Sequence, residues 1–236
     1  MCPGQTCVCL DISDANYNSD CRSLETGEQD GGLLVCRQDH FSLASLGSIP
    51  DYARGEAVTR SQCEERLGCG LPSPSLRSVA GSEGCVWIPG SPPRTATVTR
   101  LDIVSLQRLA EDVTNVTLRL EGPSRVMVHV SSLGEARVKD WSLGGQGPGQ
   151  NAWSGAPVWT GQLTSGHGHS GSHQVWVTLR GGARAGGAGL GLVVSISGHH
   201  TSGVQRFSPE LRAFIDKHPA WVSLGAWTVD YKYYII

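Results

Sequence analysis

The segment Arg125-Val126-Met127-Val128-His129-Val130 carries the pattern that decides the fold. Its valines occupy every second position, so Val126, Val128 and Val130 face the same side of an extended chain. A period of two with β-branched residues predicts a half-buried antiparallel strand. We therefore expect the region around this segment to be built mainly from strands.

Further segments of the same kind lie on both sides of this strand, between residues 96 and 236. Turn sequences separate them, and Glu121-Gly122-Pro123-Ser124 and Gly181-Gly182 are two clear examples. About eight strands joined by such turns favour an antiparallel β-sandwich. The predicted strands cover residues 97–105, 113–120, 125–130, 136–143, 158–163, 173–179, 190–197 and 227–235.

One helix is marked near the C-terminus. Ser208-Pro209-Glu210 supplies an N-cap, a proline for the first helical position and an early acidic residue. Leu211, Phe214 and Ile215 follow at the spacing of one apolar helix face, and Pro219 ends the pattern. The predicted fold class is therefore mainly β, an antiparallel β-sandwich with one short helix, preceded by a loop-rich segment that contains cysteines.

The composition excludes several classes of protein. Of 236 residues, 39% are hydrophobic and 17% are charged, which is too apolar for an intrinsically disordered chain. The net charge is −2 and basic residues do not cluster, so we expect no nucleic-acid partner. The apolar run at 190–196 is less than half of the roughly 20 residues that a spanning helix needs, so we expect no transmembrane segment. Residues 1–5 also lack the pattern of a signal peptide.

All eight cysteines lie in the first 85 residues. We expect an irregular, partly ordered Cys-rich segment over 1–60, a disulfide loop and Pro-rich connector over 61–95, and the sandwich over 96–236. Cys63 and Cys69 are predicted to form a short-loop disulfide, which would stabilise the fold by roughly 2–3 kcal/mol. A disulfide indicates an oxidising compartment. Free buried thiols are an equal alternative for each of the other six cysteines.

Three histidines, His167, His169 and His173, fall within seven residues. Such a tract could bind zinc or copper, and these three residues are the candidate metal ligands. No carboxylate or cysteine lies close in sequence to complete the ligand set, so a flexible hairpin loop is favoured over a metal site. His199-His200 point to opposite faces of an extended chain and rarely share one metal.

No pattern indicates a catalytic or cofactor-binding residue. The sequence has no Gly-x-Ser-x-Gly elbow, no phosphate-binding loop and no dinucleotide fingerprint. The acid pair Glu64-Glu65 lies in a short loop bracketed by cysteines and has no His-x-Asp motif upstream, so solvent exposure explains it better. We predict that this chain is not an enzyme and holds no cofactor.

Four tryptophans and one glycosylation sequon are the remaining candidate features of the sequence. Trp176 and Trp227 lie among alternating apolar residues and are predicted to fill the core. Trp153 lies among Gly, Ser and Asn and is predicted to be exposed. An aromatic platform for a glycan or a protein, lined by Trp153 or Trp159, is the alternative to a tryptophan packed at the rim of the core, which is favoured. Asn115 begins the only Asn-x-Ser/Thr sequon, Asn115-Val116-Thr117, which makes it the candidate glycosylation site if the chain lies in a lumen.

The region from about residue 61 to the C-terminus resembles the C-terminal luminal domain of the endoplasmic reticulum metallopeptidase 1 family. Order and spacing make this resemblance more specific than any single motif. The matching segments are Gln62-Cys63-Glu64-Glu65, Cys69-Gly70, Glu121-Gly122-Pro123-Ser124, Trp141-Ser142-Leu143-Gly144, Gln174-Val175-Trp176-Val177, His199-His200-Thr201-Ser202-Gly203, Ser208-Pro209-Glu210-Leu211, Pro219-Ala220-Trp221 and Ala226-Trp227.

The resemblance implies a part of a longer protein. The family joins a zinc aminopeptidase-like domain and several membrane spans to a luminal β-rich domain, and the first two have no counterpart here. It implies a non-catalytic accessory or structural domain in the endoplasmic reticulum lumen, attached to the membrane through the parent protein. Zinc is expected only in the missing peptidase domain, and the partners are the remainder of the metallopeptidase or a luminal protein. The pairing of Cys63 with Cys69 is also implied. A glycan- or protein-binding sandwich and a His-loop metal-binding protein are the alternatives.

Overall fold

The computed structural model confirms the predicted mainly β fold with one short helix, whereas most of the preceding cysteine-containing segment lies outside the described residues and its loop-rich character stays a prediction. The described part of the chain is mostly strand, arranged in two sheets, with one short α-helix near the C-terminus. The structure describes residues 6–11, 25–26, 32–37, 56–57, 85–89, 95–144, 148–150, 157–166, 170–181, 190–217 and 224–236.

Each strand predicted from the alternating pattern is present, with ends that differ by a few residues. The strands of the described residues are β1 Thr6–Asp11, β2 Glu25–Thr26, β3 Gly32–Arg37, β4 Glu56–Ala57, β5 Cys85–Pro89, β6 Arg100–Ala110, β7 Val113–Gly122, β8 Arg125–Ser132, β9 Arg137–Trp141, β10 Gly149–Gln150, β11 Pro157–Thr164, β12 Gly171–Arg180, β13 Leu192–His200 and β14 Leu224–Ile235.

The smaller sheet has four strands in the order β6-β7-β12-β9, and all neighbours are antiparallel. Its edge strand β6 pairs only with β7 among the described strands. Register shifts between Ile103 and Ser105 and between Arg108 and Ala110 interrupt that pairing. Such bulges are a common feature of sheet edges, where they hinder pairing with another chain.

The larger sheet has ten strands, nine of them in the order β10-β11-β8-β13-β14-β1-β3-β5-β4, with β2 also pairing with β14. Strand β14 joins the two parts of this sheet. Its residues from Thr228 onward pair antiparallel with β13, whereas Leu224 to Trp227 pair parallel with β1. The N-terminal strands are therefore continuous with the sheet of the C-terminal region. The predicted domain division at residue 96 stays a prediction.

The hydrophobic core lies between the two sheets. Alternate residues of β7 and β12 face alternate residues of β8 and β13, as the period of two requires. Trp141 packs into the same cluster from the end of β9. The fully buried members contributed by these four strands include Val116, Leu118, Val128, Val130, Val175, Val177, Leu179, Val194 and Ile196.

Strands β8 and β13 are buried on both faces, so the prediction that such strands are half-buried was wrong for these two. Met127 and His129 are buried although they alternate with the core-facing valines. All nine residues of Leu192–His200 are buried as well. Both strands lie inside the larger sheet, each between two hydrogen-bonded neighbours.

The helix α1, Pro209–Ile215, forms where its capping sequence predicts. The Ser208 hydroxyl accepts a hydrogen bond from the backbone N–H of Leu211 at 3.1 Å. Leu211 and Phe214 are buried, and the helix contacts β14. A short 3₁₀ turn, Val204–Arg206, precedes it, and the Arg206 carbonyl accepts a hydrogen bond from Thr228.

Helices of the described residues are all too short or too polar to cross a membrane.

Candidate functional site

A row of polar side chains lies buried on the outer face of the larger sheet, the face directed away from the four-stranded sheet. His129 of β8 and Ser195, Ser197 and His199 of β13 form this row, and the half-buried Trp227 of β14 borders it. We call these five residues the buried polar face. Cross-strand pairing of His129 with Ser195 places the first two side by side. Because buried polar groups are costly unless they are paired, the hydrogen bonds of this face determine what it can do.

His129 is only 5% exposed. Its Nδ1 lies 3.1 Å from the hydroxyl of Thr160, the residue opposite it on β11. Burial disfavours the charged imidazolium and lowers the pKa of His129 to about 4. The ring is therefore neutral at physiological pH.

His199 is held from both sides of its ring. The Trp227 indole N–H donates to Nδ1 at 3.0 Å, and Nε2 lies 3.1 Å from the Ser197 hydroxyl. An indole N–H can only donate, so Nδ1 must accept and the neutral ring carries its proton on Nε2. Burial, and secondarily the nearby charge of Arg125, lower the pKa of His199 to about 3.

The Ser197–His199 pair has the separation of a nucleophile and its base, but its chemistry is different. A general base needs a free lone pair directed at the hydroxyl proton, whereas Nε2 of His199 carries the ring proton and donates it to Ser197. Both residues are also buried, at 7% and 5% exposure. The pair is therefore a structural hydrogen bond of the sheet interior.

An acid is buried on the other, core-facing side of the same sheet. Asp230 is fully buried, and its Oδ2 accepts a hydrogen bond from the backbone N–H of Thr99 at 2.7 Å. The neighbouring His200 has a lowered pKa because burial outweighs the attraction of the Asp230 carboxylate. His199 and His200 thus point to opposite faces, as predicted from their adjacency in an extended strand.

The structure describes one of the three candidate metal ligands. His173 lies on β12, half-buried, and its Nε2 is 2.9 Å from the hydroxyl of Ser165. His167 and His169 lie outside the described residues, so the metal site stays a prediction. Among the residues that the structure describes, no three His, Cys, Asp or Glu side chains come together as a metal site.

The prediction that Trp176 fills the core was wrong. Its neighbours Val175 and Val177 point into the core, so alternation directs Trp176 to the opposite face, where it is 38% exposed. Trp227, which was also predicted to fill the core, instead lies half-buried against His199 on the outer face of the larger sheet. Trp159 packs edge-on against Trp141, with ring centroids 6.1 Å apart. The other predicted features, Trp153 and the cysteines Cys63 and Cys69, lie outside the described residues.

Asn115 lies on β7 and faces away from the core, on the same side of the sheet as Trp176. Its side-chain amide donates a hydrogen bond to the Thr178 hydroxyl at 3.3 Å. Asn115 is half-buried, and the next residue of the sequon, Val116, is fully buried in the core. The modification itself stays a prediction.

Sequence patterns did not indicate the buried polar face. His129 alternates with valines, so the pattern placed it on the solvent side of a half-buried strand. His199 carried one available signal, since it follows a continuous apolar run, which is typical of a strand buried on both faces. Its contact with Trp227 joins two residues that are 28 positions apart, and no local pattern shows such a contact.

Comparison with known proteins identifies the domain. The sequence profile of the endoplasmic reticulum metallopeptidase 1 C-terminal domain matches residues 15–234. Human endoplasmic reticulum metallopeptidase 1 is 25% identical over 215 residues, which are 88% of this chain and 22% of the human protein. The chain thus spans about a fifth of the length of that relative, and no solved structure matches it significantly. Since the profile covers nearly the whole chain, the chain belongs to the family of endoplasmic reticulum metallopeptidase 1 C-terminal domains.

Proposed function

We propose that this chain is a non-catalytic, luminal accessory domain of an endoplasmic reticulum membrane metallopeptidase, and that it is part of a longer protein. The observation that carries the proposal is the extent of the match. The family profile is that of a C-terminal domain, and the aligned region is 22% of the human metallopeptidase. On this proposal the peptidase chemistry, with its zinc, belongs to another part of the parent protein.

The buried polar face supports a structural role. Perturbed pKa values often indicate catalytic groups, but such groups must reach a substrate. His129 and His199 are each 5% exposed and already hold hydrogen bonds to neighbouring strands. Their altered pKa values therefore reflect packing of the larger sheet. On the proposal of an accessory domain, its partner is the remainder of the metallopeptidase or a luminal protein.

A domain exchange tests the accessory role. The region of human endoplasmic reticulum metallopeptidase 1 that aligns with this chain is deleted or replaced by this chain, and the steady-state level of the protein in the membrane is measured. We expect deletion to lower that level and replacement to restore it. A replacement carrying Val128→Asp is the matched control, because a charge at this fully buried position disrupts the core. Equal levels in all four proteins would contradict the proposal.

An activity assay tests the non-catalytic part separately. The purified chain is incubated with zinc and a set of aminoacyl fluorogenic substrates, with and without a chelator. We expect no hydrolysis above buffer. Chelator-sensitive hydrolysis that co-purifies with the folded chain, and disappears with the Val128→Asp variant, would show that the chain is an enzyme.

A further inference from the structure

We infer that Asn115 carries an N-linked glycan and that the glycan covers Trp176 on the outer face of the four-stranded sheet. The inference rests on the luminal location proposed above, because the transfer of the glycan occurs in the lumen. Three features of β6, β7 and β12 support it.

The acceptor residues of the sequon lie on the face of β7 that points away from the core. Asn115 and Thr117 are two residues apart on β7, so both side chains lie on the outer face. The residue between them, Val116, is fully buried in the core. A glycan on Asn115 therefore extends away from the core, and the folded sheet can keep its packing.

The outer face is open to solvent on the β6 side of the sequon, whereas Thr178, opposite Asn115 on β12, is buried. Gln107, the partner of Asn115 on β6, is exposed. Further along the same face, Asp102 forms ion pairs with Arg100 at 2.8 Å and with Arg119 at 3.2 Å. Charged side chains that are partly exposed in this way are typical of a sheet face in contact with water, which leaves room for a bulky, hydrophilic group.

Trp176 is an exposed apolar residue on the same face of the sheet as Asn115. It pairs with Thr117 across the β7–β12 ladder, whereas Asn115 pairs with Thr178, so Asn115 and Trp176 are diagonal neighbours. Diagonal neighbours on a sheet are roughly 7–8 Å apart, which is within reach of the first sugar residue. The indole is 38% exposed among polar neighbours, and the C–H face of a pyranose can stack on such a ring and remove it from water.

Transfer of an oligosaccharide to Asn115 is compatible with the hydrogen bond between the Asn115 amide and the Thr178 hydroxyl. The Asn115 Nδ2 attacks the anomeric carbon of a lipid-pyrophosphate-linked oligosaccharide. A C–N bond forms, the C–O bond to the pyrophosphate breaks, and the lipid pyrophosphate leaves while Nδ2 loses one proton to a base. No electrons are exchanged with an outside reagent. The second hydrogen stays on Nδ2, so the modified amide can still donate to Thr178, as it does at 3.3 Å.

Acceptor variants in cells test the modified residue. The full chain is expressed behind a cleavable secretory leader and carries an added Asn-Gly-Thr acceptor after its C-terminus. Only molecules with a glycan on the added acceptor are scored, because that glycan shows delivery to the lumen. We expect peptide-N-glycosidase to remove a second glycan from the wild type and from Thr117→Ser, which keeps the sequon. Asn115→Gln and Thr117→Ala should lack the second glycan.

A wild-type chain that carries only the added glycan would overturn the inference. It would leave the proposed function intact, because delivery to the lumen is shown independently in the same molecule. The domain-exchange experiment can fail in turn while Asn115 is glycosylated, so the two failures are distinguishable.

Thermal unfolding tests the contact with Trp176. Glycosylated and enzymatically deglycosylated proteins are compared, and we expect the glycan to raise the unfolding midpoint by about 2 °C. Trp176→Ala should abolish this difference. Leu106→Ala is the matched control and should keep it, because Leu106 is 52% exposed but pairs with the core-facing Val116, on the other side of the sheet. An equal midpoint shift in the Trp176→Ala protein would overturn the proposed contact.

Discussion

At the scale of single residues, a side chain that can only donate a hydrogen bond determines the tautomer of the buried histidine it contacts. The indole of Trp227 can only donate, so it determines which nitrogen of His199 carries the proton. The ring then donates to Ser197. A protonated His199 could no longer accept from Trp227, so this contact requires the neutral ring.

We predict that Trp227→Phe destabilises the domain by about 1–3 kcal/mol. Phenylalanine keeps most of the aromatic packing but leaves the buried Nδ1 of His199 without its donor. Urea unfolding followed by near-ultraviolet circular dichroism measures the change in free energy. Trp176→Phe is the matched control, with an expected change within about 0.5 kcal/mol because this side chain is exposed. Equal losses in the two variants would show that the hydrogen bond contributes nothing specific.

The buried histidines also predict the dependence of stability on pH. The pKa of His129 is about 4 and that of His199 is about 3 in the folded chain, below the ordinary histidine value of 6.5. The unfolded chain therefore binds protons first as the pH falls, and the free energy of unfolding decreases below about pH 6.5. Each histidine accounts for a loss on the order of 2 kcal/mol between pH 8 and pH 5.

Urea unfolding at pH 8, 6.5 and 5 measures this dependence. His129→Gln should show a smaller loss over the same range because one titrating group is removed. A constant free energy of unfolding for the wild type, or a rise on acidification, would contradict the prediction.

At the scale of elements, β13 is buried on both faces, and such a strand tolerates few substitutions. Its residues alternate between the hydrophobic core, which holds Val194 and Ile196, and the buried polar face, which holds Ser195, Ser197 and His199. Gly198 stands opposite Asp230, where the chain has no room for a side chain. An added Cβ there would collide with the Thr99 hydroxyl and the ring of Pro123.

We predict that Gly198→Ala lowers the free energy of unfolding by about 1–3 kcal/mol, as overpacking usually does. Gly166→Ala is the matched control, because a Cβ at Gly166 meets no atom within 4 Å. Chemical denaturation of the two variants measures the difference. An unchanged Gly198→Ala protein would mean that Thr99 and Pro123 can move aside without cost.

At the scale of the whole molecule, β14 connects the N-terminal strands to the sandwich. Its first four residues depend on β1 for a partner, whereas the following residues pair with β13. The two ends of the chain are thus joined in one sheet. Pairing between residues more than 200 positions apart, such as Val8 with Ala226, means that the sheet is complete only after both ends are present.

Removing residues 1–11 should affect the two halves of β14 differently. We predict faster amide hydrogen exchange at Leu224–Trp227, because these residues lose β1, while Thr228–Ile235 stays protected by β13. Hydrogen–deuterium exchange with peptide-level mass spectrometry resolves the two segments. Unchanged protection at Leu224–Trp227 would contradict the observed β1–β14 pairing.

The strands and the helix could be predicted because their signals are local. The alternation around Val126, Val128 and Val130 and the Ser208-Pro209 cap act over a few residues, within which the backbone geometry is determined. The burial of His129, the exposure of Trp176 and the pairing of β14 with β1 could not be predicted in this way. Each depends on which element packs over a face or beside an edge, and that neighbour comes from a distant part of the chain. Alternation tells which residues share a side of a strand, but only the packing of the second layer determines whether that side meets protein or water.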